Sequence, residues 1–466
     1  MSGAGKSLVA MNLCKNLSEM GFHVSPFKAV NISLNSVALD GGFEIPRAQW
    51  LQCLSSGTDP SPYVSPFLIK PEPFGKAQLI VLGKSRGSLT WDEIRMFIST
   101  YGRNVVDRSL RRLSSQFSVI VSEGSGSPSE INMGGEDLSN SYMTGRSFSA
   151  SLLVGNVDPG GVFGSLLGNA LLMRNPKSLR WMIINMMRGD PEVLKPGIHK
   201  LERLVNARVI GVLPFMEDLH LPGEDLLDYR SERCGSEISV VRYPYMENYS
   251  DLDPLLLSGN GICYATHRNL SPILRSDLIV LPGSKNVYMD LKYMRQYGID
   301  SMILEAARSG KKILGICGGY QILSSGISDP YHVQSPVDHF PGLGLLKCEF
   351  TYSRKKTVRT VRYRFPSSHG LDYSVGYEIR YGRLDKNSER HFLETEYGYE
   401  GSVSADGNIF GTNIHSLLED PRVFKAITGK SPENDYASIL NSAISKSSEV
   451  FARNVDMSGI VAFLKE

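Results

Sequence analysis

The residues of this 466-residue chain best suited to chemistry fall into two groups, one near each end. Gly3-Ala4-Gly5-Lys6-Ser7 has the make-up of a phosphate loop: backbone amides to face an anion, a lysine to neutralise it and a hydroxyl for magnesium. Gly3, Gly5, Lys6 and Ser7 are its expected nucleotide-binding residues. Leu314-Gly-Ile-Cys317-Gly-Gly-Tyr320 sets a thiol between an apolar run and two glycines, the pattern of a nucleophile on a sharp strand-to-helix turn. His415, ending Gly411-Thr-Asn-Ile-His415, would act as its base, raising thiolate content and later protonating the leaving ammonia. The amide of Gly318 and that of Gly283, in Leu281-Pro-Gly-Ser284, are the expected oxyanion donors. An ATP site and a glutamine-cleaving thiol in one chain imply ATP-driven amide synthesis.

Magnesium needs oxygen ligands beside the phosphates, and Ser7, Asp40 and Glu123 are the candidates. Glu123 ends an apolar strand and opens Glu-Gly-Ser-Gly-Ser-Pro, at the carboxyl edge where an α/β sheet presents ligands. Asp40, before Gly41-Gly42, is alternatively a turn acid, and Asp158, in Val157-Asp-Pro-Gly-Gly161, has the same two readings. The plain alternative for Cys317 is a buried small hydrophobe, and for Gly5-Lys6-Ser7 a chance match. The paired glycines after the thiol, and the Gly-Ala-Gly before the lysine, weigh against both.

Such groups must be held by a sheet. Leu8, Val9, Leu13 and Leu17 recur at helical spacing and Gly21 follows as a stop, so the loop feeds a helix whose N-terminus favours phosphate. Short apolar runs then alternate with helical stretches: Gln78–Leu82, Ser118–Ser122, Ala150–Val154, Trp181–Asn185 and Val209–Leu213, then Ile238–Arg242, Asp277–Leu281 and Lys312–Ile316. They read as buried parallel strands of an α/β protein made of two doubly wound domains. The polar stretch from Glu217 to Gly235 marks the boundary, giving a synthetase domain over 1–235 and a glutaminase domain over 236–466. The P-loop consensus begins with a strand and a glycine ahead of Ser2, so either the natural start lies further upstream or the first domain lacks its first strand.

The bulk numbers narrow the class. A balance of 50 basic and 48 acidic residues leaves +2 net charge, which argues against nucleic acid or an anionic membrane surface as partner. The six cysteines, Cys14, Cys53, Cys234, Cys263, Cys317 and Cys348, form no C-x-x-C pair, so neither a zinc knuckle nor a disulfide framework is expected. With no signal-peptide pattern and no apolar run near the roughly 20 residues a spanning helix needs, the chain reads as soluble and cytoplasmic. Oligomeric state is not legible.

Beyond the two loops, Pro26-Phe-Lys-Ala-Val-Asn-Ile-Ser-Leu-Asn-Ser36, Glu44-Ile-Pro-Arg-Ala-Gln49, Pro66-Phe-Leu-Ile-Lys-Pro71 and Glu123-Gly-Ser-Gly-Ser-Pro-Ser-Glu-Ile-Asn132 stand out, as do Val154 to Phe163 and Ile184 to Asp190. With Leu281 to Asn286, the Cys317 elbow, Gly376-Tyr-Glu-Ile379 and the His415 strand, they resemble the cobyric acid synthases over nearly the whole chain. That resemblance implies a P-loop synthetase domain like that of dethiobiotin synthetase, joined to a class I glutamine amidotransferase domain. It implies MgATP and glutamine as co-substrates, a corrinoid substrate and no tightly bound cofactor. The implied reaction amidates the b, d, e and g carboxylates of adenosylcobyrinic acid a,c-diamide to adenosylcobyric acid. A cobyrinic acid a,c-diamide synthase-like enzyme is the near alternative, and a non-catalytic relative that binds nucleotide or corrinoid the distant one. Class I glutaminases commonly carry a glutamate two residues after the histidine, where this chain has Leu417, so no third triad member is assigned. The family usually has aspartate at Asn156, arginine at Pro159 and histidine at Arg380.

Overall fold

The computed structural model describes residues 3–132, 137–217, 219, 221–222, 237–257, 262–365 and 373–466. The expected boundary near 235 and Cys234 lie outside the described residues.

The second half is built on a six-stranded sheet, ordered Cys263–Ala265, Ile238–Val241, Leu278–Leu281, Lys312–Ile316, Ile409–Thr412, Ser402–Val403. All neighbours run parallel except the last pair. Its central strands are continuous apolar runs because helices cover both faces. One consequence places the chemistry: Lys312–Ile316 lies between Leu278–Leu281 and Ile409–Thr412, in parallel with both. Gly283, Cys317 and His415, each a few residues past its strand, therefore leave the sheet at one edge.

Beside the parallel pair Val30–Ile32/Phe67–Glu72, the first half has its parallel strands in two groups. Val24–Phe27 pairs with Val119–Ser122, and Leu179–Met187 lies between Ser151–Asn156 and Arg208–Pro214. Between Val119–Ser122 and Ser151–Asn156 lies a cavity of about 580 Å³, walled by Leu13, Leu17, Val121, Leu152 and Trp181, with Lys6 and Glu123 also on its lining. Among the described residues the two groups are thus separated by a slot rather than joined into one sheet. Gln78–Leu82 departs from expectation: the strand there, Lys76–Val81, is antiparallel to both neighbours, in a sheet ordered Val30–Ile32, Phe67–Glu72, Lys76–Val81, Lys84–Thr90. A short apolar run signals burial, not strand direction.

The chain finally returns to its beginning. Phe451, Val455, Met457 and Ile460, from the helices Tyr436–Asn454 and Ser458–Lys465 and their junction, share one apolar cluster with Ala4, Val9, Cys14 and Leu17. Asn12 and Asn16 of the Lys6–Glu19 helix donate to Ser447 and Ser448 at 2.9 and 3.0 Å. In packing terms the last thirty or so residues belong with the first half, across the sequence division at 235.

The halves also meet through a long hairpin, Leu346–Arg364 paired with Ser374–Asn387, which leans on the hairpin Ser36–Leu39/Phe43–Pro46. Tyr377 and Ile379 join the apolar cluster of the first half there.

Candidate active site

Cys317 sits at φ 51°, ψ −104°, a left-handed backbone that a side-chain-bearing residue adopts only under constraint. The constraint is visible: its N–H donates to the Thr412 carbonyl at 2.7 Å, and the turn is pressed against the Leu281–Ser284 segment. A Cβ on Gly319 would lie 1.9 Å from the Leu281 carbonyl oxygen, and one on Gly318 would lie 2.5 Å from the Ser284 nitrogen. Two glycines therefore follow the thiol because nothing larger fits, and the same contact brings Gly318 against the Gly283–Ser284 strand. A Cβ on Gly283 would stand 3.5 Å from Cε1 of His415. Cys317, His415, Gly283 and Gly318 are thus gathered at one point.

His415 is fully buried, and its Nδ1 faces Oδ2 of Asp251 at 2.7 Å, while Oδ1 of Asp251 accepts from the Ser416 N–H at 2.7 Å. Tyr377 stacks on the imidazole with centroids 5.1 Å apart. Burial alone would lower the His415 pKa. The Asp251 carboxylate and Cys317 more than offset it, holding it well above the ordinary histidine value. The imidazole is therefore oriented by Asp251, on the turn Tyr249–Leu252, and the absence of an acid at position 417 leaves no gap in its support. Sequence reasoning missed Asp251 because it precedes the histidine by 164 positions and stands in no motif.

The wall facing Cys317 is charged and largely buried. Glu247, Ser284, Lys285, Lys356 and Arg380 line, with the thiol, a cavity of about 10 Å³, the size of a single water. Much of this wall is held from the first half. Glu44 pairs with Lys70 at 2.8 Å and Lys356 at 2.7 Å, Lys70 with Glu247 at 3.4 Å, and Lys285 with Glu72 at 2.8 Å. Burial drives Lys356 down to about 8 despite Glu44, whereas Glu44, flanked by two lysines, stays far below the carboxylate range against its own burial. Arg380 bonds Glu378 and the Gly382 carbonyl, and its buried Nε has no partner among the described residues.

At the other end, Gly5 caps the Lys6–Glu19 helix with φ 80°, and a Cβ there would fall 2.3 Å from Nδ2 of Asn185. Glycine is required on both counts. The Ser7 hydroxyl donates to Glu123 at 2.8 Å. Glu123 also accepts from Lys28 at 2.8 Å, Gln52 at 2.8 Å and Gln49 at 3.4 Å, so its oxygens are well supplied with donors. Asp40 is not gathered here: it occupies the turn of the Ser36–Leu39/Phe43–Pro46 hairpin and accepts from the Thr360 hydroxyl of the opposite half at 2.6 Å. Asp158 pairs with Arg188 at 3.0 Å, half exposed. Asn156 donates to the Gly3 carbonyl at 3.3 Å, a contact its amide can make and a carboxylate cannot. No cluster of three or more His, Cys, Asp or Glu suited to a metal occurs among the described residues, and no helix there is long and apolar enough to cross a membrane.

Two family models cover most of the chain. Residues 1–227 match the CobQ/CobB/MinD/ParA nucleotide binding domain and residues 237–423 the CobB/CobQ-like glutamine amidotransferase domain. A protein of Thermoplasma acidophilum named probable cobyric acid synthase is 45% identical, the match covering 99% of this chain and 97% of the relative. The probable cobyric acid synthase of Picrophilus torridus is 42% identical over 100% and 98%, and a Clostridium botulinum protein named cobyric acid synthase is 34% identical over 99% and 97%. Among solved structures, PurLQS from Thermotoga maritima aligns at 20% identity over 45% of this chain and 97% of that one, with a TM-score of 0.31.

Proposed function

Because this chain belongs to the cobyric acid synthases, glutamine-hydrolysing ligases, we propose that it amidates the b, d, e and g carboxylates of adenosylcobyrinic acid a,c-diamide with MgATP and glutamine. The observation that carries the reading is the set Cys317, His415 and Asp251 gathered beside two glycine turns, in one chain with the Ser7–Glu123 loop.

Asp251 accepts from Nδ1, so Nε2 of His415 is the atom that takes the thiol proton. The Cys317 thiolate attacks the side-chain carboxamide carbon of glutamine, and the oxyanion forms beside the amides of Gly318 and Gly283. Collapse expels ammonia, which receives its proton from His415, and water then releases glutamate from the thioester. In the first half, the carboxylate of the corrinoid takes the γ-phosphoryl group of ATP, leaving ADP. Ammonia displaces phosphate from that acyl phosphate to give the amide. Gly3, Gly5 and Lys6 would hold the phosphates, and the Ser7 hydroxyl fits the magnesium of MgATP, with Glu123 behind it. We place the two catalytic units on either side of residue 235, with the tail from Tyr436 onward serving the first.

Mass spectrometry of the corrinoid after incubation with MgATP and glutamine tests this: four successive losses of carboxylate to amide are expected. Cys317→Ser should abolish amidation from glutamine and leave amidation from added ammonium. Retention of glutamine-dependent synthesis in that variant, or an unaltered corrinoid under both nitrogen sources, would overturn the reading.

A further inference from the structure

Gly401 turns the chain out of the strand Gly398–Glu400 at φ 73°, and a Cβ on it would lie 2.5 Å from the Gly411 carbonyl oxygen. The turn is thereby pressed onto Ile409–Thr412, the strand that ends just ahead of His415. Glu400, the last residue before the turn, is carried against the end of that strand and is 7% exposed. A carboxylate so placed must find donors or give up its charge.

It finds three neutral ones on two residues. Oε2 accepts from the Thr412 hydroxyl at 2.8 Å, and Oε1 accepts from the N–H of Asn413 at 2.6 Å and from its Nδ2 at 3.1 Å. The Thr412 hydroxyl, having given its hydrogen to Glu400, accepts from the Ile414 N–H at 3.0 Å. One acid therefore fixes Thr412, Asn413 and Ile414, and the next residue is His415.

The same stretch sets the thiol. The Thr412 carbonyl accepts from the Cys317 N–H at 2.7 Å, and Thr412 pairs with Ile316, the residue before the thiol. Nucleophile and base are thus both attached to one short length of backbone. Asp251 aims the imidazole ring, and Glu400 seats the chain that carries it.

The pattern suits an ionised acid. A carboxylate only accepts, whereas the neutral acid has an O–H that would oppose the Thr412 hydroxyl or the Asn413 amide. Burial lifts the Glu400 pKa to about 7, with Glu378 adding to the lift and the bonds from Asn413 and Thr412 and the charge of Arg380 opposing it. Tyr320, on the helix Gly318–Leu323, also faces this acid. The ionised form therefore prevails above pH 7 and is lost below it.

We infer that Glu400 is a positioning residue for glutamine cleavage: by seating Thr412 and Asn413 it fixes the place of the Cys317 thiol relative to His415. The inference rests on the proposed amidotransferase reaction and adds to it a side chain that acts through its neighbours.

The test measures kcat and KM for glutamine hydrolysis by the intact chain at pH 8 and pH 6, with ammonium-dependent amidation and melting temperature as checks on the fold. Glu400→Gln turns one acceptor into an N–H donor, and kcat at pH 8 should fall by about 10²-fold with KM little changed. At pH 6 the wild type has largely lost the charge as well, so the ratio of wild type to Glu400→Gln should narrow. Thr412→Val, which removes the bridging hydroxyl, should mimic Glu400→Gln, whereas Thr412→Ser should keep the wild-type rate. Should Glu400→Gln fail to fold, the two Thr412 variants decide. A wild-type kcat in Glu400→Gln and Thr412→Val, a rise in KM alone, a ratio that ignores pH, or an equal fall in ammonium-dependent amidation would overturn the inference. Failure of the wild type to form amide from either nitrogen source would sink the proposed reaction instead.

Discussion

Asp251 spends both carboxylate oxygens on His415, one on its ring and one on the backbone N–H that follows it. Asp251→Asn keeps the shape but can present an N–H where an acceptor is needed, favouring the wrong imidazole tautomer. Glutamine-dependent amidation should fall by about 10² to 10⁴-fold, with ammonium-dependent amidation retained, as steady-state assays with the two nitrogen sources would read. Asp290 lies behind the Gly283–Ser284 strand, accepting from Ser284 at 2.5 Å and from the Tyr245 N–H at 3.0 Å. Burial lifts its pKa to about 7, outweighing those two hydrogen bonds. In that case the folded protein binds a proton that the unfolded chain, with aspartate near 3.9, has lost. Its contribution to stability is full below pH 4 and declines as pH rises towards 7. Asp290→Asn should therefore flatten the fall in melting temperature between pH 5 and 8, and raise the melting temperature at pH 8. At this scale local spacing singled out Cys317, His415, Gly283 and Gly318, which the fold brings together. Asp251 was not singled out, because its partner His415 lies 164 positions away.

The elbow shows how tightly one element can dictate another. Gly319→Ala would drive a methyl group into the Leu281 carbonyl, backbone against backbone, where no rotamer change can help. A loss on the order of 1–3 kcal/mol or more is expected, measurable as a lower denaturation midpoint together with lost glutaminase activity. The hairpin Ser36–Leu39/Phe43–Pro46 supplies Glu44 to two lysines at once. Glu44→Gln would leave Lys70 to Glu247 and Lys356 to Gln78, two buried ammonium groups sharing less negative charge. Destabilisation of about 3–5 kcal/mol is expected from urea titration, with weaker glutamine-dependent activity because Lys356 lines the cavity at Cys317. Most strands of the parallel sheets were legible as short apolar runs. The direction of Lys76–Val81 was not, since antiparallel strands buried on both faces have the same composition. The partner of Asp40 was hidden for a related reason: an acid before two glycines makes a good turn, and only the opposing hairpin shows that it accepts from Thr360.

On the scale of the molecule, the tail from Tyr436 completes the core of the first half, filling a cluster that the Lys6–Glu19 helix alone would leave open. A chain ending at Ser431 should thus lose the nucleotide-dependent reaction and much of its solubility, which activity assays and sedimentation of the expressed fragment would show. No local pattern announces this return, because an amphipathic helix does not name the surface it will cover. The slot between Val119–Ser122 and Ser151–Asn156 bears on how the protein behaves in a tube. Among the described residues, each bordering strand turns towards the gap a row of amides and carbonyls with no strand beside it, in an apolar surround that water satisfies poorly. Such a gap is a socket for any extended apolar segment, including one lent by a neighbouring molecule. Concentrated solutions should therefore scatter more light than dilute ones, and a short β-forming peptide added in excess should compete for the socket and restore clarity.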